Sequence, residues 1–290
     1  MARIAIVGVG AIGGALAELL ETAGGHSLRL CTRRPLEQLT VRTPARSVEI
    51  RAQNWTAPSQ AEPVEWVIVA TKAYDAESAA QWLPALCAAG APVAVVQNGV
   101  EHRERFAPYM SEARLLPVVI DCPVERTPDG QIQVRGAALM KVESTELGHA
   151  FAALFAGSDS RVEPVADFVS AAWWKLCVNA VGALNALTLK PAAVFHIESI
   201  GELALGIVAE CVAVGRAEGA QLADSLPEEI LARYRAQPAD SVNSLLADRL
   251  AGRRMESDAR NGVIVRKGLR HGIATPLNRM AAAVLEAQQP

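Results

Sequence analysis

Residues 3–13 read Arg3-Ile4-Ala5-Ile6-Val7-Gly8-Val9-Gly10-Ala11-Ile12-Gly13, and this stretch decides how the first half of the chain folds. The apolar run that ends at Val7 predicts a short buried β-strand. The spacing of apolar residues from Ile12 to Thr22 predicts a helix directly after it. The six residues Gly8-Val9-Gly10-Ala11-Ile12-Gly13 therefore join a strand to a helix, and they match the pattern G-x-G-x-x-G.

Each glycine of such a loop has its own physical role. One allows the tight turn, the next lets the backbone approach a pyrophosphate, and the third lets the helix pack closely on the strand. The helix N-terminus offers free N–H groups and a partial positive charge to phosphates. We expect the whole motif from Gly8 to Gly13 to bind a dinucleotide. The alternative interpretation is a purely structural turn in an α/β protein.

The end of the second strand indicates which dinucleotide binds. Ser27 to Cys31 is predicted as that strand, and Thr32-Arg33-Arg34 follows it. An NAD site would place Asp or Glu here for the ribose hydroxyls, whereas a guanidinium binds a 2′-phosphate through charge-assisted hydrogen bonds. Arg33 therefore favours NADPH. The alternative is a pair of solvated surface arginines.

The rest of the first half alternates strand and helix patterns, which predicts a parallel sheet covered on both faces. Further strands are predicted at Val67–Ala70 and Pro92–Val96. Between about Leu115 and Val142 the helical pattern stops. Leu116 to Ile120 and Gln131 to Val134 are predicted as strands, with a turn at Pro128-Asp129-Gly130, and we expect them to extend the sheet with antiparallel members.

After about Pro164 the pattern becomes helical. Helices are predicted at Phe168–Leu187, Ile200–Glu218, Pro227–Arg235, Asn243–Leu250, Asp258–Arg270 and Asn278–Gln288. The predicted fold is an α/β N-terminal Rossmann-type domain, residues 1–164, followed by an all-α C-terminal domain, residues 165–290. The first would bind NADP and the second would carry the substrate.

Composition excludes several classes of protein. The 290 residues carry a formal net charge of -3, which gives no basic face for nucleic acid or for a membrane surface. No apolar stretch reaches the ~18 residues of a spanning helix. Four glycines interrupt the only signal-like N-terminal run. Five scattered cysteines predict reduced thiols in a cytoplasmic protein, with no disulfide frame and no metal site.

Two polar clusters follow predicted strands. Thr71-Lys72 ends one strand, and Gln97-Asn98-Gly99 ends the next. In open parallel sheets ligands bind beyond the carboxyl ends of the strands, so we expect Lys72 and Asn98 to face the cofactor crevice. The alternatives are a solvated loop lysine and a plain Asn-Gly turn.

A third cluster lies in the first helix of the second half. Lys175 and Asn179 are four residues apart and so share a helix face, in a stretch from Val169 to Leu187 that is otherwise almost wholly apolar. A lysine in this setting either snorkels to solvent or has a function. Leu203 to Val214 is also apolar and suggests packing against a second copy of the chain, a homodimer.

Taken in order, these motifs resemble the ketopantoate reductase (2-dehydropantoate 2-reductase) family. The resemblance spans nearly the whole chain. Its motifs here are the glycine loop, Arg33, Ala70-Thr71-Lys72-Ala73, Gln97-Asn98-Gly99-Val100, Lys175-Leu176-Cys177-Val178-Asn179, Ser244, Glu256-Ser257-Asp258, Asn261-Gly262 and Gly272-Ile273-Ala274-Thr275-Pro276. The resemblance implies NADPH-dependent reduction of a 2-oxo acid in pantothenate biosynthesis.

The resemblance also implies roles for individual residues. Lys175 matches the catalytic lysine that protonates the ketone oxygen, and Glu256 matches its acidic partner. Asn98 and Lys72 match residues of the cofactor crevice, and Asn98, Asn179 and Ser244 match groups that hold the substrate. General chemistry supports the role of Lys175 independently of the resemblance. Hydride addition creates an alkoxide, and an adjacent ammonium stabilises it and supplies its proton.

The chain departs from the family at substrate-holding positions. A further asparagine is often found one turn after Asn179, where Ala183 stands here, and Asn185 comes two residues late. The following loop, residues 190–196, offers His196 but no asparagine, and Met255 replaces the usual threonine. Two alternatives therefore stay open: a related dehydrogenase acting on a different 2-oxo acid, 2-hydroxy acid or imine, and a non-catalytic NADP-binding sensor.

Overall fold

The computed structural model describes residues 1–127 and 129–290. Backbone contacts divide the chain into two compact units. The first contains Met1–Gln97 and His102–Phe168, and the second contains Asn98–Glu101 and Val169–Pro290. The short segment Asn98–Glu101 thus groups with the second unit, although the residues on both sides of it belong to the first. The domain boundary between residues 164 and 165 places this segment in the first half, and that boundary stays a prediction.

The strands of the first unit are β1 (Arg3–Val7), β2 (Ser27–Cys31), β3 (Thr40–Arg42), β4 (Ser47–Glu49), β5 (Gln53–Trp55), β6 (Trp66–Val69), β7 (Val93–Val95), β8 (Leu115–Pro117), β9 (Val119–Asp121), β10 (Val124–Arg126), β11 (Ile132–Val134), β12 (Leu139–Glu143) and β13 (Arg161–Val165). Its helices are α1 (Ala11–Ala23), α2 (Ala76–Ala80), α3 (Leu83–Leu86), α4 (His102–Phe106) and α5 (Glu146–Leu154). The predicted β1, α1 and β2 are confirmed.

The main sheet is parallel, with the strand order β5-β2-β1-β6-β7-β8. Its register aligns Val7 with both Cys31 and Val69, and Val69 with Val95. The carboxyl ends of β1, β2, β6 and β7 therefore reach the same edge of the sheet. Separate apolar clusters cover the two faces, as a doubly covered parallel sheet requires.

The predicted antiparallel extension of this sheet is wrong. Strand β8 joins the main sheet in parallel with β7, while β9 pairs with β12 in a three-stranded sheet. Strands β10 and β11 form a four-stranded sheet with β3 and β4. The reason is packing against α1, because Ile132 of β11 is fully buried and its Cγ1 lies 2.6 Å from where a Cβ on Gly14 would stand.

The hairpin between β10 and β11 is antiparallel, with Arg126 opposite Ile132. The backbone N–H of Gly130 donates to the Thr127 carbonyl over 2.9 Å, and Gly130 has a φ of 87°. Asp129 and Gly130 thus lie in a turn, as predicted. Pro128, the remaining residue of the predicted turn, lies outside the described residues.

The second unit is helical, as predicted. Its helices are α6 (Phe168–Thr188), α7 (Glu198–Ala217), α8 (Leu226–Arg235), α9 (Ser244–Leu250), α10 (Val263–Arg270) and α11 (Pro276–Glu286), and a π-helical turn spans Asp258–Gly262. Helices α6 and α7 share one apolar core. Among the described residues, no helix is both long and apolar enough to cross a bilayer.

Helix α7 places most of its apolar side chains inside this unit. Ile207, Val208, Cys211 and Val214 are fully buried there. Few apolar side chains of Leu203 to Val214 are therefore left to pack against a second copy of the chain. The homodimer stays a prediction.

Candidate active site

The glycine loop has the packing that its spacing predicts. Gly8 has a φ of 93°, and a Cβ on it would lie 2.8 Å from the backbone nitrogen of Thr71. A Cβ on Gly13 would lie 2.1 Å from the carbonyl oxygen of Gly8. A Cβ on Gly10 would meet nothing within 4 Å. Gly8 and Gly13 are therefore required by the fold, while Gly10 leaves open space beside the loop.

The first turn of α1 suits an anion. Gly10 is its N-cap and its carbonyl accepts a hydrogen bond from the N–H of Gly14 over 2.9 Å. The first turn carries no acidic side chain. A 13-residue helix therefore directs its positive end and its first N–H groups towards the space beside Gly10. This is a cradle that fits the pyrophosphate of a dinucleotide.

The end of β2 adjoins the same loop, because the N–H of Gly8 donates to the carbonyl of Cys31 over 3.0 Å. Thr32 follows, and its hydroxyl donates to the carbonyl of Arg34 over 2.6 Å. The side chain of Arg33 is 85% exposed, and its Nη2 lies 3.9 Å from Oδ2 of Asp75. An exposed guanidinium beside the loop fits a ribose 2′-phosphate better than ribose hydroxyls.

Strands β6 and β7 end in a hydrogen-bonded group that the sequence did not single out. Gln97 is buried, and its Nε2 donates to the Thr71 hydroxyl over 3.0 Å and to the Lys72 carbonyl over 3.4 Å. The ring of His102 bonds the Gln97 carbonyl over 2.8 Å. Lys72 itself is partly buried and precedes a 3₁₀ turn. These contacts hold the backbone of Thr71 in place, and Gly8 packs against this backbone.

The second unit brings three predicted site residues together. Nδ2 of Asn98 donates to Oε2 of Glu256 over 2.9 Å, and Nδ2 of Asn179 donates to Oδ1 of Asn98 over 3.2 Å. Glu256 is only 3% exposed. The amide of Asn98 is therefore held at both ends, by a donor from α6 and by the buried carboxylate.

Lys175 belongs to the same face of α6 as Asn179, one turn earlier, and it is partly exposed. Cys177, between them in sequence, is fully buried, as are its neighbours on the opposite side of the helix such as Val181. The apolar face of α6 thus faces the core of the unit. Lys175 and Asn179 lie on the other, partly exposed side of the helix, and an ammonium is a side chain that is able to act as a general acid.

Comparison with known proteins shows the family to which the chain belongs. The family model described as ketopantoate reductase PanE/ApbA matches residues 4–146, and the one described as ketopantoate reductase PanE/ApbA C terminal matches residues 167–289. The chain belongs to the ketopantoate reductase family. Because the two matches cover most of the chain, the relationship applies to both of its units.

Individual members of the ketopantoate reductase family are close to this chain. The 2-dehydropantoate 2-reductase of Caulobacter vibrioides is 48% identical to it over 99% of both chains. That of Mycobacterium tuberculosis is 39% identical over 98% of this chain and 97% of its own. The crystal structure of a PanE/ApbA family ketopantoate reductase from Ralstonia eutropha JMP134 superimposes with a TM-score of 0.88 at 30% identity, covering 99% of this chain and 98% of that one.

The departures from the ketopantoate reductase pattern have structural explanations. Asn185 is buried, and it links α6 to the segment before α9. Its Oδ1 accepts from Asn243 over 2.7 Å, and its Nδ2 donates to the carbonyl of Lys190 over 2.9 Å. His196 is exposed. Asn185 therefore does not replace the missing family asparagine, because both ends of its amide are occupied.

Ala183 and Met255 differ from the ketopantoate reductase pattern together. Ala183 is 0% exposed and Met255 is 2% exposed, and both lie in one apolar cluster with Leu245 and Leu285. The cluster thus accommodates a small side chain at position 183 and a large apolar one at position 255. Both departures therefore lie in the same buried apolar cluster.

Ser244 is exposed at the start of α9, and its Oγ accepts a hydrogen bond from Nη2 of Arg260 over 2.7 Å. Arg260 is 3% exposed and lies in the π-helical turn. Arg260 was not among the site residues predicted from the sequence. An arginine four residues after Glu256, between Ala259 and Asn261, is the signal that would have found it.

A second arginine fixes the segment that carries Asn98. Nη2 and Nε of Arg266 donate to the carboxylate of Glu101 over 2.7 and 3.4 Å, and the same guanidinium binds Asp258. The ion pairs raise the pKa of Arg266 against the opposing effect of its burial. Glu101 is three residues after Asn98, and Asp258 is two after Glu256. One guanidinium therefore ties together the segments that hold the Asn98–Glu256 hydrogen bond.

Burial makes three of the cysteines poor nucleophiles. Burial raises the pKa of the Cys31 thiol to about 12 and that of the Cys87 thiol to about 11. The pKa of Cys211 is raised by its burial and by its hydrogen bond with Cys177. Thiols in this range stay protonated near neutral pH, so they do not act as nucleophiles there.

Proposed function

We propose that this protein reduces 2-dehydropantoate to pantoate, a ketone-to-alcohol reduction of a 2-oxo acid, with NADPH as the hydride donor. The observation that carries the proposal is the hydrogen-bonded series Asn179–Asn98–Glu256 on the polar side of α6, where Lys175 precedes Asn179 by one turn. The names of the relatives of this chain support the same substrate.

Residues 1–164 would bind the nucleotide. The loop Gly8–Gly13 and the N-terminus of α1 would hold the pyrophosphate, and Arg33 would bind the 2′-phosphate. Lys72, at the end of β6, would supply a further positive charge towards the phosphates or the nicotinamide ribose. NADPH, when bound, supplies a hydride to the ketone carbon.

Residues 165–290 would carry the chemistry, together with Asn98. The ammonium of Lys175 donates a hydrogen bond and then a proton to the ketone oxygen, which stabilises the negative charge that develops there. We assign Glu256 to contacting the substrate and to orienting the Asn98 amide with which it is hydrogen-bonded. Asn179 and Glu256 hold the Asn98 amide in one orientation, so that this amide is fixed before the substrate arrives.

Ser244 would contact the substrate. We also propose that the enzyme acts in the cytoplasm, since its five thiols are free, as a reducing compartment would keep them. Formation of a homodimer is part of the same proposal.

The test is the rate of NADPH oxidation with 2-dehydropantoate in the wild type and in Lys175→Ala, with Lys190→Ala as a control that removes an exposed lysine near the end of the same helix. We expect kcat to fall by about 10²–10⁴ in Lys175→Ala, the usual range for loss of a general acid. NADPH affinity, followed by its fluorescence, should stay within a factor of about two, because Lys175 is assigned to the substrate. Unchanged turnover would remove Lys175 from the mechanism.

The same assay separates the alternatives. A panel of 2-oxo acids, each with and without an amine, tests whether another 2-oxo acid or an imine is preferred to 2-dehydropantoate. Tight NADPH binding with no carbonyl reduced would instead indicate a nucleotide-binding sensor.

A further inference from the structure

We propose that Arg260 is the receptor for the carboxylate of the substrate, and that Ser244 completes this anion site. The inference deepens the proposed function and rests on it, since only an acidic substrate brings a negative charge to the site. It assigns substrate recognition to a charged side chain in the π-helical turn after Glu256.

The first observation is the burial of Arg260 without a counter-charge. The residue is 3% exposed. Its Nη2 donates to the Ser244 hydroxyl, and its Nε is buried without a hydrogen-bond partner in the structure. Within the described part of the chain no carboxylate lies within 4.0 Å of its guanidinium. A buried cation without a counter-charge is energetically costly, and buried polar groups normally have hydrogen-bond partners. Binding of an anion would supply both the charge and the hydrogen-bond acceptor.

Two other arginines of this unit are each paired with carboxylates of the chain. Arg266 binds the carboxylates of Glu101 and Asp258, and Arg253 donates to Asp248 over 2.9 Å. Both are more exposed than Arg260, with 39% and 56% of their side chains accessible. Arg260 combines the greater burial with the poorer set of partners. A buried arginine with a purely structural role is expected to have a carboxylate partner that compensates its charge.

The second observation is where Arg260 lies. It is four residues after Glu256, and a Cβ on Gly182 would stand 3.5 Å from its Nη1. Gly182 is three residues after Asn179 on α6, so the two positions share a face. Arg260 therefore continues the line of polar groups that begins with Lys175 and Asn179. The absence of a side chain at 182 gives the guanidinium room against the helix.

The geometry at Ser244 adds a second donor. Its Oγ accepts from Arg260, so its own O–H stays available to donate to an anion beside the guanidinium. A guanidinium and a hydroxyl that point to one anion form the fork that a carboxylate prefers. A charged receptor also explains why the chain manages without the family's additional amides, since Ala183 is apolar and Asn185 is occupied elsewhere.

The experiment compares a 2-oxo acid with a neutral analogue that has the same ketone. The substrates are 2-dehydropantoate and its lactone, which has no carboxylate, and the enzymes are the wild type, Arg260→Met, Arg260→Lys and Arg270→Met. Arg270 is exposed at the end of α10, so its substitution removes the same charge from the surface. Thermal stability is measured with and without pantoate and NADP⁺.

For Arg260→Met we expect kcat/KM for the acid to fall by at least about 100-fold, as for loss of a buried charged partner, while kcat/KM for the lactone changes less than about threefold. Arg260→Lys should recover part of the loss, since it keeps the charge and loses the fork. Without ligand, Arg260→Met should melt no lower than the wild type, and pantoate should no longer stabilise it.

A structural role for Arg260 predicts a different result. Both substrates would then lose activity in parallel and the melting temperature of Arg260→Met and Arg260→Lys would fall; that result overturns the anion site. If Arg260→Met reduces the acid as the wild type does, the anion site is wrong while the proposed function stands. If the wild type reduces neither 2-dehydropantoate nor any other 2-oxo acid, both proposals fail.

Discussion

Asn98 and Glu256 are 158 residues apart in the sequence, yet the amide of one donates to the carboxylate of the other over 2.9 Å. The carboxylate is almost fully buried, and the amide accepts a further hydrogen bond from Asn179. The orientation of the Asn98 amide is therefore set by the contact, with its nitrogen towards Glu256. A change at either residue alters the charge and the direction of hydrogen bonds at the same point.

Asn98→Asp should convert this contact into a carboxylate pair. Two carboxylates at hydrogen-bond distance cannot both ionise easily, so one proton will be retained and one pKa of the pair will rise. We expect kcat/KM at pH 7 to fall by about 100-fold and to recover in part as the pH is lowered. The measurement is the pH profile of kcat/KM. A profile of unchanged shape would show that the two side chains do not interact in solution.

The glycine loop allows a prediction that separates folding from binding. Gly13→Ala places a methyl group against the Gly8 carbonyl and should destabilise the protein by about 3 kcal/mol, as overpacking does. Gly10→Ala meets open space and should cost less than about 1 kcal/mol. That methyl group should nevertheless weaken NADPH binding by at least about tenfold, because it fills the approach to the pyrophosphate. Denaturant titration and NADPH fluorescence test the two effects.

Arg33→Asp should reverse the cofactor preference. It removes the guanidinium assigned to the 2′-phosphate and places a carboxylate where an NAD site has one. We expect kcat/KM with NADPH to fall by about 100-fold while that with NADH rises or stays level, since charged hydrogen bonds contribute most of such discrimination. Arg270→Asp provides the charge-matched control. Equal losses with both cofactors would indicate that Arg33 has only a structural role.

The pair Glu218–Lys267 should make stability depend on acidity. Lys267 is 4% exposed, and its Nζ donates to Glu218 over 2.6 Å. Burial acts to raise the pKa of the Glu218 carboxyl, but hydrogen bonds from Lys267 and His271 outweigh it, and the pKa lies below its ordinary 4.5. A depressed carboxyl pKa stabilises the fold above that ordinary value, and the stabilisation is lost as the pH falls through the folded-state pKa.

Glu218→Gln should therefore lower the free energy of unfolding by about 2 kcal/mol at pH 7, a figure reduced from that of a fully buried pair because Glu218 is partly exposed. The difference from the wild type should shrink as the pH falls below 4.5. Urea titrations over this pH range provide the test. A difference that is constant with pH would mean that the charge of Glu218 is not involved.

Ala183→Asn restores a residue type that is common in the family and should still be harmful here. It places an amide in a fully buried apolar cluster, at a cost of about 2–4 kcal/mol. Met255→Thr empties part of the same cluster and should offset some of this cost, so the double mutant should be more stable than additivity predicts. Denaturant melts of the four proteins measure the coupling, and strict additivity would disprove it.

The sequence predicted the elements whose signal is local. The buried run Arg3–Val7, the glycine loop and the amphipathic or apolar helices of the second unit each contain their own pattern, and all were found at nearly the predicted residues. The strands β3, β4, β5 and β10 were missed, and each has only three residues, which is too few to show a period. The five-residue strands β12 and β13 were missed as well. Their partners are distant, as when Ile132 pairs with Val41, and no local rule indicates such a partner.

The candidate site divides in the same way. Lys175 and Asn179 were predicted from a spacing of four residues, and Asn98 from its place after a strand. Arg260 was not, because its burial and the lack of a carboxylate beside it are properties of the packed unit. The hydrogen bonds of Gln97 with Thr71 and Lys72 belong to the same class, since they join two strand ends that the sequence separates by 25 or 26 residues.

The excursion of Asn98–Glu101 into the second unit has a consequence for protein engineering. A fragment that begins at Val169 would contain Glu256 and Arg266 but would lack Asn98 and Glu101, so a buried carboxylate and a guanidinium would each lose a partner. The helical half that begins at Val169 is therefore not a complete unit that can be exchanged between relatives. A chimaera that exchanges substrate specificity between relatives must graft these four residues along with the helices, or it will transplant an incomplete pocket.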